Sequence, residues 1–238
     1  AKDRTTPYPH ATVYVGNDLA AFDEGAREHM ADVEKPEGEL WAVYAGTLGA
    51  SYDLATLIKA AALLEKRRVA HTARTTAAGT AMRHRPFPPV KVKSLGDGPD
   101  RQHLEELARQ ENAPVEFLGY QDHGSMAAWL RASDITVNSL VKSAVQSIVT
   151  KIGDYLASGK PMINTGSSPE FRNKVTTDGF GLNVAAENPE ALADVLEELA
   201  RNPSLRKIMG ARGRAVAERE FDQRTSYLAI VNLLRNLM

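Results

Sequence analysis

A lysine and an aspartate stand three residues apart in Thr150 to Asn164, which reads TKIGDYLASGKPMIN. That spacing puts Lys151 and Asp154 on one face of a helix. Two kinds of chemistry fit the pair. As a surface ion pair it contributes about 0.2–0.5 kcal/mol. As a ligand pair in the first turns of a helix that follows a strand, it does more. Lys151 then meets a pyrophosphate beside free backbone N–H groups. Asp154, one turn deeper, accepts hydrogen bonds from a ribose diol through its carboxylate oxygens. The preceding stretch, SLVKSAVQSIVT over residues 139–150, is more apolar and serine-rich than a solvated turn requires. The residues alone leave both readings open.

A pair like this works only if a fold brings it to a ligand. In open parallel sheets, ligands bind beyond the carboxyl ends of the strands, where the strand order reverses. The positions just after each expected strand are Gly46-Thr47-Leu48-Gly49, Gly96-Asp97-Gly98-Pro99, Gly119-Tyr120, residues 139–150 and Thr165-Gly166-Ser167-Ser168. Glycine and serine dominate them, which lets a ligand approach the backbone closely. A phosphate-bearing molecule suits such loops.

Familiar alternatives are missing. No G-x-x-x-x-G-K-[ST] loop, G-x-S-x-G elbow or H-E-x-x-H pair occurs, and GTLGAS after the first strong strand is not a dinucleotide fingerprint. With no cysteine, disulfides and thiolate metal sites are excluded. The six histidines lack ligand spacing, so no metal is expected, and His103 and His123 read as helix-surface residues. Lysine and arginine total 29 against 30 aspartates and glutamates, a balance that gives no reason to expect nucleic acid as a partner.

The elements expected to carry these loops alternate. Apolar or alternating runs at Leu40–Gly46, Val90–Gly96, Val115–Tyr120, Asp134–Leu140 and Pro161–Thr165 read as strands. Helical spacing separates them, at Leu54, Leu57, Ile58, Ala61 and Leu64, at Leu104, Leu107 and Ala108, around Met126–Leu130, and from about Val149. The repeated β-α-β pattern predicts an α/β, Rossmann-like parallel sheet with helices on both faces. A further short strand is expected at Ala11–Asn17. Asn188-Pro189 and Asn202-Pro203 each offer an N-cap asparagine before a first-turn proline. Asp222 can cap a last helix bearing Tyr227, Ile230, Val231 and Leu234. Three units follow: a linker with the N-terminal strand and an acidic, helix-compatible or irregular stretch over 1–38, the nucleotide-binding domain over 39–221, and a C-terminal helix over 222–238. Residues 67–89, rich in arginine and small residues, are expected to be an irregular connection, with a strand hidden near Val69–Thr76. The chain begins at Ala1 without methionine and reads as part of a longer protein.

In order, VYAGTLG, SLGDGP, VEFLGY, ASDITVNSL, DYLASGKPMINT, SSPEF, GFGLNV and the NPEALADVLEELARNPSLRKIMGARGRAVAEREF tail resemble the C-terminal, donor-binding half of a family 4 retaining glycosyltransferase of the GT-B fold. The likeness runs from about Tyr14 to the C-terminus. TKIGDYLASGKP is most similar to enzymes of capsular and cell-surface polysaccharide assembly. The resemblance implies a nucleoside-diphosphate sugar as partner, no cofactor or metal, and an acceptor side in a missing N-terminal half. It implies a cytoplasmic place, at the inner membrane face if that half associates peripherally.

The resemblance also assigns residues. Of two family glutamates eight positions apart, the one facing the donor sugar falls on Gln146 and the one on the ribose falls on Asp154. The cations that often follow the first strand are replaced by Thr47 and the neutral stretch Ala50–Tyr52, and Lys151 takes their role on the diphosphate. Leu118, Gly119 and Tyr120 match the base loop, and Glu170 matches a frequent glutamate whose simpler role is helix N-terminal charge. Gly46, Thr47, Leu48, Gly49, Gly96 and Asp97 complete the donor loops. The N–H groups near Val149 and Thr150 join Lys151 in stabilising the leaving group. A nucleotide-sugar epimerase of similar architecture and a non-catalytic sensor of nucleotide sugars are the alternatives.

Overall fold

A computed structural model describes residues 13–77, 87–144 and 148–235. Six strands form one parallel sheet: β1 (Leu40–Ala45), β2 (Val90–Leu95), β3 (Val115–Gly119), β4 (Ile135–Asn138), β5 (Met162–Asn164) and β6 (Gly181–Asn183). Their order is β3-β2-β1-β4-β5-β6, and every neighbouring pair is parallel. The order reverses between β1 and β4, so the crevice for a ligand opens where those two strands end. All six residues of β1 are buried, as expected of a central strand covered on both faces.

Helices cover both faces, and each face has its own core. On one side, α2 (Leu54–Ala77), α3 (Arg101–Glu111) and α7 (Pro189–Arg201) pack through Leu57, Ile58, Leu64, Leu104, Leu192 and Leu196. On the other, α1 (Leu19–Glu28), α4 (His123–Ala132), α5 (Ile152–Ala157), α6 (Pro169–Asp178) and α8 (Pro203–Val216) supply Phe22, Leu130, Tyr155, Phe171 and Val216. A π-helical turn, Ala217–Phe221, leads into α9 (Gln223–Arg235). Among the described residues, no helix is long and apolar enough to cross a membrane.

Five expectations need correction. Residues 13–17 form no strand. Asn17 makes only an isolated parallel bridge to Asp222, its N–H donating to the Phe221 carbonyl at 2.6 Å. The stretch before β1 is no linker, because Leu19, Phe22 and Ala26 of α1 belong to the second core. Val69–Thr76 is not a strand and 67–77 is not irregular, since both lie in α2. There Arg67 bonds Asp194 of α7 at 2.6 Å, and Arg68 bonds Glu65. Residues 78–86 lie outside the described residues. The helix expected from Val149 begins at Ile152, with Lys151 as its N-cap. Finally, Asn188 caps α7 as expected, but the Asn202 side chain donates back to the Glu198 carbonyl instead of capping α8.

Candidate functional site

The ends of β1 and β2 turn on two glycines in left-handed backbone, Gly46 at φ 150° and Gly96 at φ 121°. The turns are tied together. Gly46 N–H donates to Leu95 O at 2.9 Å, Leu48 N–H to Asp97 O at 2.9 Å, and Gly96 N–H to Gly119 O at 2.7 Å. A methyl group at Gly96 would fall 2.0 Å from the Gly46 carbonyl oxygen, and one at Gly98 2.2 Å from that of Leu48. The GDG turn therefore exists to let two loops touch. Over it lies a cavity of about 330 Å³ whose walls include Gly46, Thr47, Gly96, Asp97, Tyr120 and Met126. Tyr120 is 81% exposed, a flat ring standing at the rim.

The other side of the crevice comes from α5. The Tyr155 hydroxyl accepts from Ala45 N–H at 2.8 Å and donates to Ala45 O at 3.1 Å, which pins the helix to the end of β1. Its N-cap, Lys151, is thereby set against Gly46, where a methyl group would lie 2.6 Å from the Lys151 Nζ. The ammonium is sealed from solvent and has no hydrogen-bond partner among the described residues. It rests on ring faces instead, 4.1 Å from the centre of Tyr44 and 3.8 Å from that of Tyr52. Burial pushes its pKa down to about 7, and the negative faces of the two rings act against that push.

Lys151 and Asp154 do not pair with each other. Asp154 Oδ1 accepts from Asn17 Nδ2 at 2.8 Å and lies 3.4 Å from His123 Nε2. Burial raises the Asp154 pKa, opposed by the His123 charge and by the hydrogen bonds from Asn17 and His123. His123 is an exposed residue in the first turn of α4, as expected of a helix-surface residue. It faces Asp154 and packs edge-on to Phe22.

The structure divides the remaining candidates. Gly46, Thr47, Gly96, Asp97 and Tyr120 share the cavity over β1 and β2. Val149, Thr150 and Glu170 line a second cavity of about 260 Å³ with Tyr14 and Phe221. There Glu170 accepts from the Tyr14 hydroxyl at 3.3 Å, within the first turn of α6. Leu48 is fully buried, and its N–H and carbonyl tie the loops together. Gly49 is likewise buried and accepts from Tyr52 N–H. Leu118 packs against the second core and its carbonyl accepts from the Gln121 side chain, while Gly119 anchors Gly96. Gln146 lies outside the described residues. Beneath the loop before it, Asn138, Asn164 and Asn183 form a ladder across β4, β5 and β6, and Thr165 Oγ1 accepts from Leu140 N–H at 2.7 Å. Among the described residues, no three His, Asp or Glu side chains are grouped to hold a metal.

The family pattern of glycosyl transferases group 1 matches residues 26–216. The chain belongs to that family. A curated relative, the GDP-mannose-dependent monoacylated alpha-(1-6)-phosphatidylinositol monomannoside mannosyltransferase of Corynebacterium glutamicum, is 28% identical over 155 residues, covering 63% of this chain. The matched part spans 40% of that relative's length. Among solved structures, sucrose-phosphate synthase from Thermosynechococcus elongatus superposes with a TM-score of 0.72 at 21% identity, over 95% of this chain and 52% of its own. Anabaena HepE in complex with UDP gives 0.69 at 17%, over 95% of this chain and 57% of its own. These likenesses show that the group 1 domain has the GT-B type of fold.

Three tyrosines and an asparagine escaped the sequence reading. Tyr44 read as part of a buried strand, Tyr52 as part of a neutral loop and Asn17 as strand, and Tyr155 received no reading of its own. The usable signal is Tyr155, which directly follows Asp154 on the helix that carries the Lys151–Asp154 pair.

Proposed function

We propose that this group 1 domain is the donor-binding half of a retaining, family 4 glycosyltransferase acting in capsular or other cell-surface polysaccharide assembly. It binds a nucleoside-diphosphate sugar beyond the ends of β1 and β4. One observation carries the reading. A lysine ammonium with no hydrogen-bond partner among the described residues is held against the Gly46 turn, at the point where the sheet order reverses. A buried cation without a counter-anion is costly, and an arriving diphosphate supplies one.

In this reading Lys151 meets charge building on the leaving diphosphate, without a metal, and the loop N–H groups add to it. Tyr120 offers its exposed ring to the base. Asp154 accepts the ribose hydroxyls, which compete with Asn17 for its oxygens. Gln146 meets the sugar. The acceptor comes from the part of the protein that this chain does not include. The relative from Corynebacterium is named for GDP-mannose, and HepE was solved with UDP. Both bases therefore belong in the test.

Titration of the chain with UDP, GDP and their sugars should give weak binding with a clear preference for one base, and no sugar transfer. Lys151→Ala should weaken that binding, and in the complete enzyme should lower turnover by about 10²-fold. Binding of neither nucleotide, or turnover untouched by Lys151→Ala, overturns the reading.

A further inference from the structure

We propose that Tyr52, together with Tyr44, is a positioning residue. The two rings cage the Lys151 ammonium against Gly46 and leave its N–H donors unspent for an incoming diphosphate. The inference rests on the donor-site reading above and adds what keeps that cation in place.

The geometry assigns separate tasks to the rings. Tyr44 is fully buried at the end of β1, and its hydroxyl donates to the Thr47 carbonyl at 2.7 Å. It therefore fixes the Gly46-Thr47 turn and the ammonium from one place. Tyr52 stands edge-on to Tyr44, 5.9 Å between centroids, on the half-exposed loop before α2. Its backbone N–H is tied to Gly49 O at 2.9 Å. Next to it, Asp53 caps α2 by accepting from Thr56 N–H, and Ser139 Oγ donates to the Asp53 carbonyl at 2.6 Å. The loop that carries the ring is thus anchored at both ends.

A cage of rings differs from a cage of carboxylates in what it leaves free. A carboxylate holds an ammonium by consuming its N–H donors and cancelling its charge. A ring face attracts the cation through its quadrupole and does neither. Among the described residues Lys151 has no hydrogen-bond partner, and both rings lie within about 4 Å of its nitrogen. Such a cation is held but not neutralised, as a residue must be if it is to meet a doubly charged leaving group.

Competitive acetylation with acetic anhydride, read by mass spectrometry on the Lys151 peptide, reports on the cage in the empty protein. UDP and GDP titrations report on the site. Tyr52→Ala should raise Lys151 labelling at least several-fold and weaken the preferred nucleotide about 10-fold. Tyr52→Phe keeps the ring and should restore both. Unchanged labelling in Tyr52→Ala overturns the cage, whatever happens to binding. So does a Tyr52→Phe that behaves like Tyr52→Ala, since a hydroxyl would then be responsible. Raised labelling with nucleotide binding unaffected by both Tyr52→Ala and Lys151→Ala overturns the donor reading, and with it the positioning role. Tyr52 is chosen over Tyr44 because its loop is half-exposed, and circular dichroism confirms that each variant folds.

Discussion

Lys151 is a buried cation set against the Gly46 turn, and its burial has a consequence for stability. An ordinary lysine keeps its proton to about 10.4, whereas burial brings Lys151 down to about 7. Between those values the unfolded chain holds a proton that the folded chain has released. Stability therefore rises with pH across that window, and the cost of the buried charge is full below it. Lys151→Met removes the charge and keeps the bulk. It should stabilise the empty chain by about 1–3 kcal/mol near pH 6 and by much less near pH 10. Urea melts at the two pH values check this. An equal gain at both, or a loss at the lower one, would show that the rings offset the desolvation. Spacing in the sequence singled out this residue and Asp154. It did not reveal their surroundings, because Tyr44, Tyr52 and Asn17 reach Lys151 or Asp154 from more than 90 positions away in the chain, and no local spacing encodes such contacts.

At the scale of elements, loop chemistry was legible wherever a backbone constraint forces a residue type. GDGP after β2 announced a turn, and the structure shows why. Gly96 adopts φ 121° with Gly46 O in the place of a side chain. Gly96→Ala should therefore cost roughly 2–4 kcal/mol of stability and abolish nucleotide binding, since it must push the β1 and β2 turns apart. Gly49→Ala is the contrast. It has no left-handed φ, and among the described residues nothing approaches its missing Cβ closer than 3.8 Å, so its urea midpoint should stay close to that of the parent chain. Equal midpoints for the two variants would mean that the loops are not laced as described. Periodicity failed where a helix has no apolar stripe. The second half of α2 is held by Arg67 and Arg68 ion pairs, so its threonines and Val69 imitated a strand. β5 and β6 are equally short, three residues each, but β6 opens on Gly181, which weakens a strand pattern that Met162-Ile163 of β5 keeps.

For the whole molecule, the β-α alternation alone predicted the layers, because a parallel sheet needs crossover helices on its faces. What it could not predict is which surfaces remain uncovered. On α9, Tyr227, Leu228, Ile230, Val231 and Leu234 are each about 40–55% exposed, one apolar face on a helix that buries only Ser226. The chain spans 40% of its curated relative from Corynebacterium and about half of the aligned structures, so contacts made by the rest of such proteins are not represented in it. An apolar face of this kind drives association when nothing covers it. The isolated chain should therefore self-associate as its concentration rises, with sedimentation coefficients drifting upward. Leu228→Glu with Leu234→Glu should return it to a monomer. Because both side chains face solvent in the monomer, the double variant should leave the urea midpoint unchanged to within about 0.5 kcal/mol. A parent chain that stays monomeric at every concentration would mean that α9 folds its apolar face onto the chain's own surface. In that case the same two glutamates would lower stability rather than leave it alone, so the pair of measurements separates a docking face from a misplaced core.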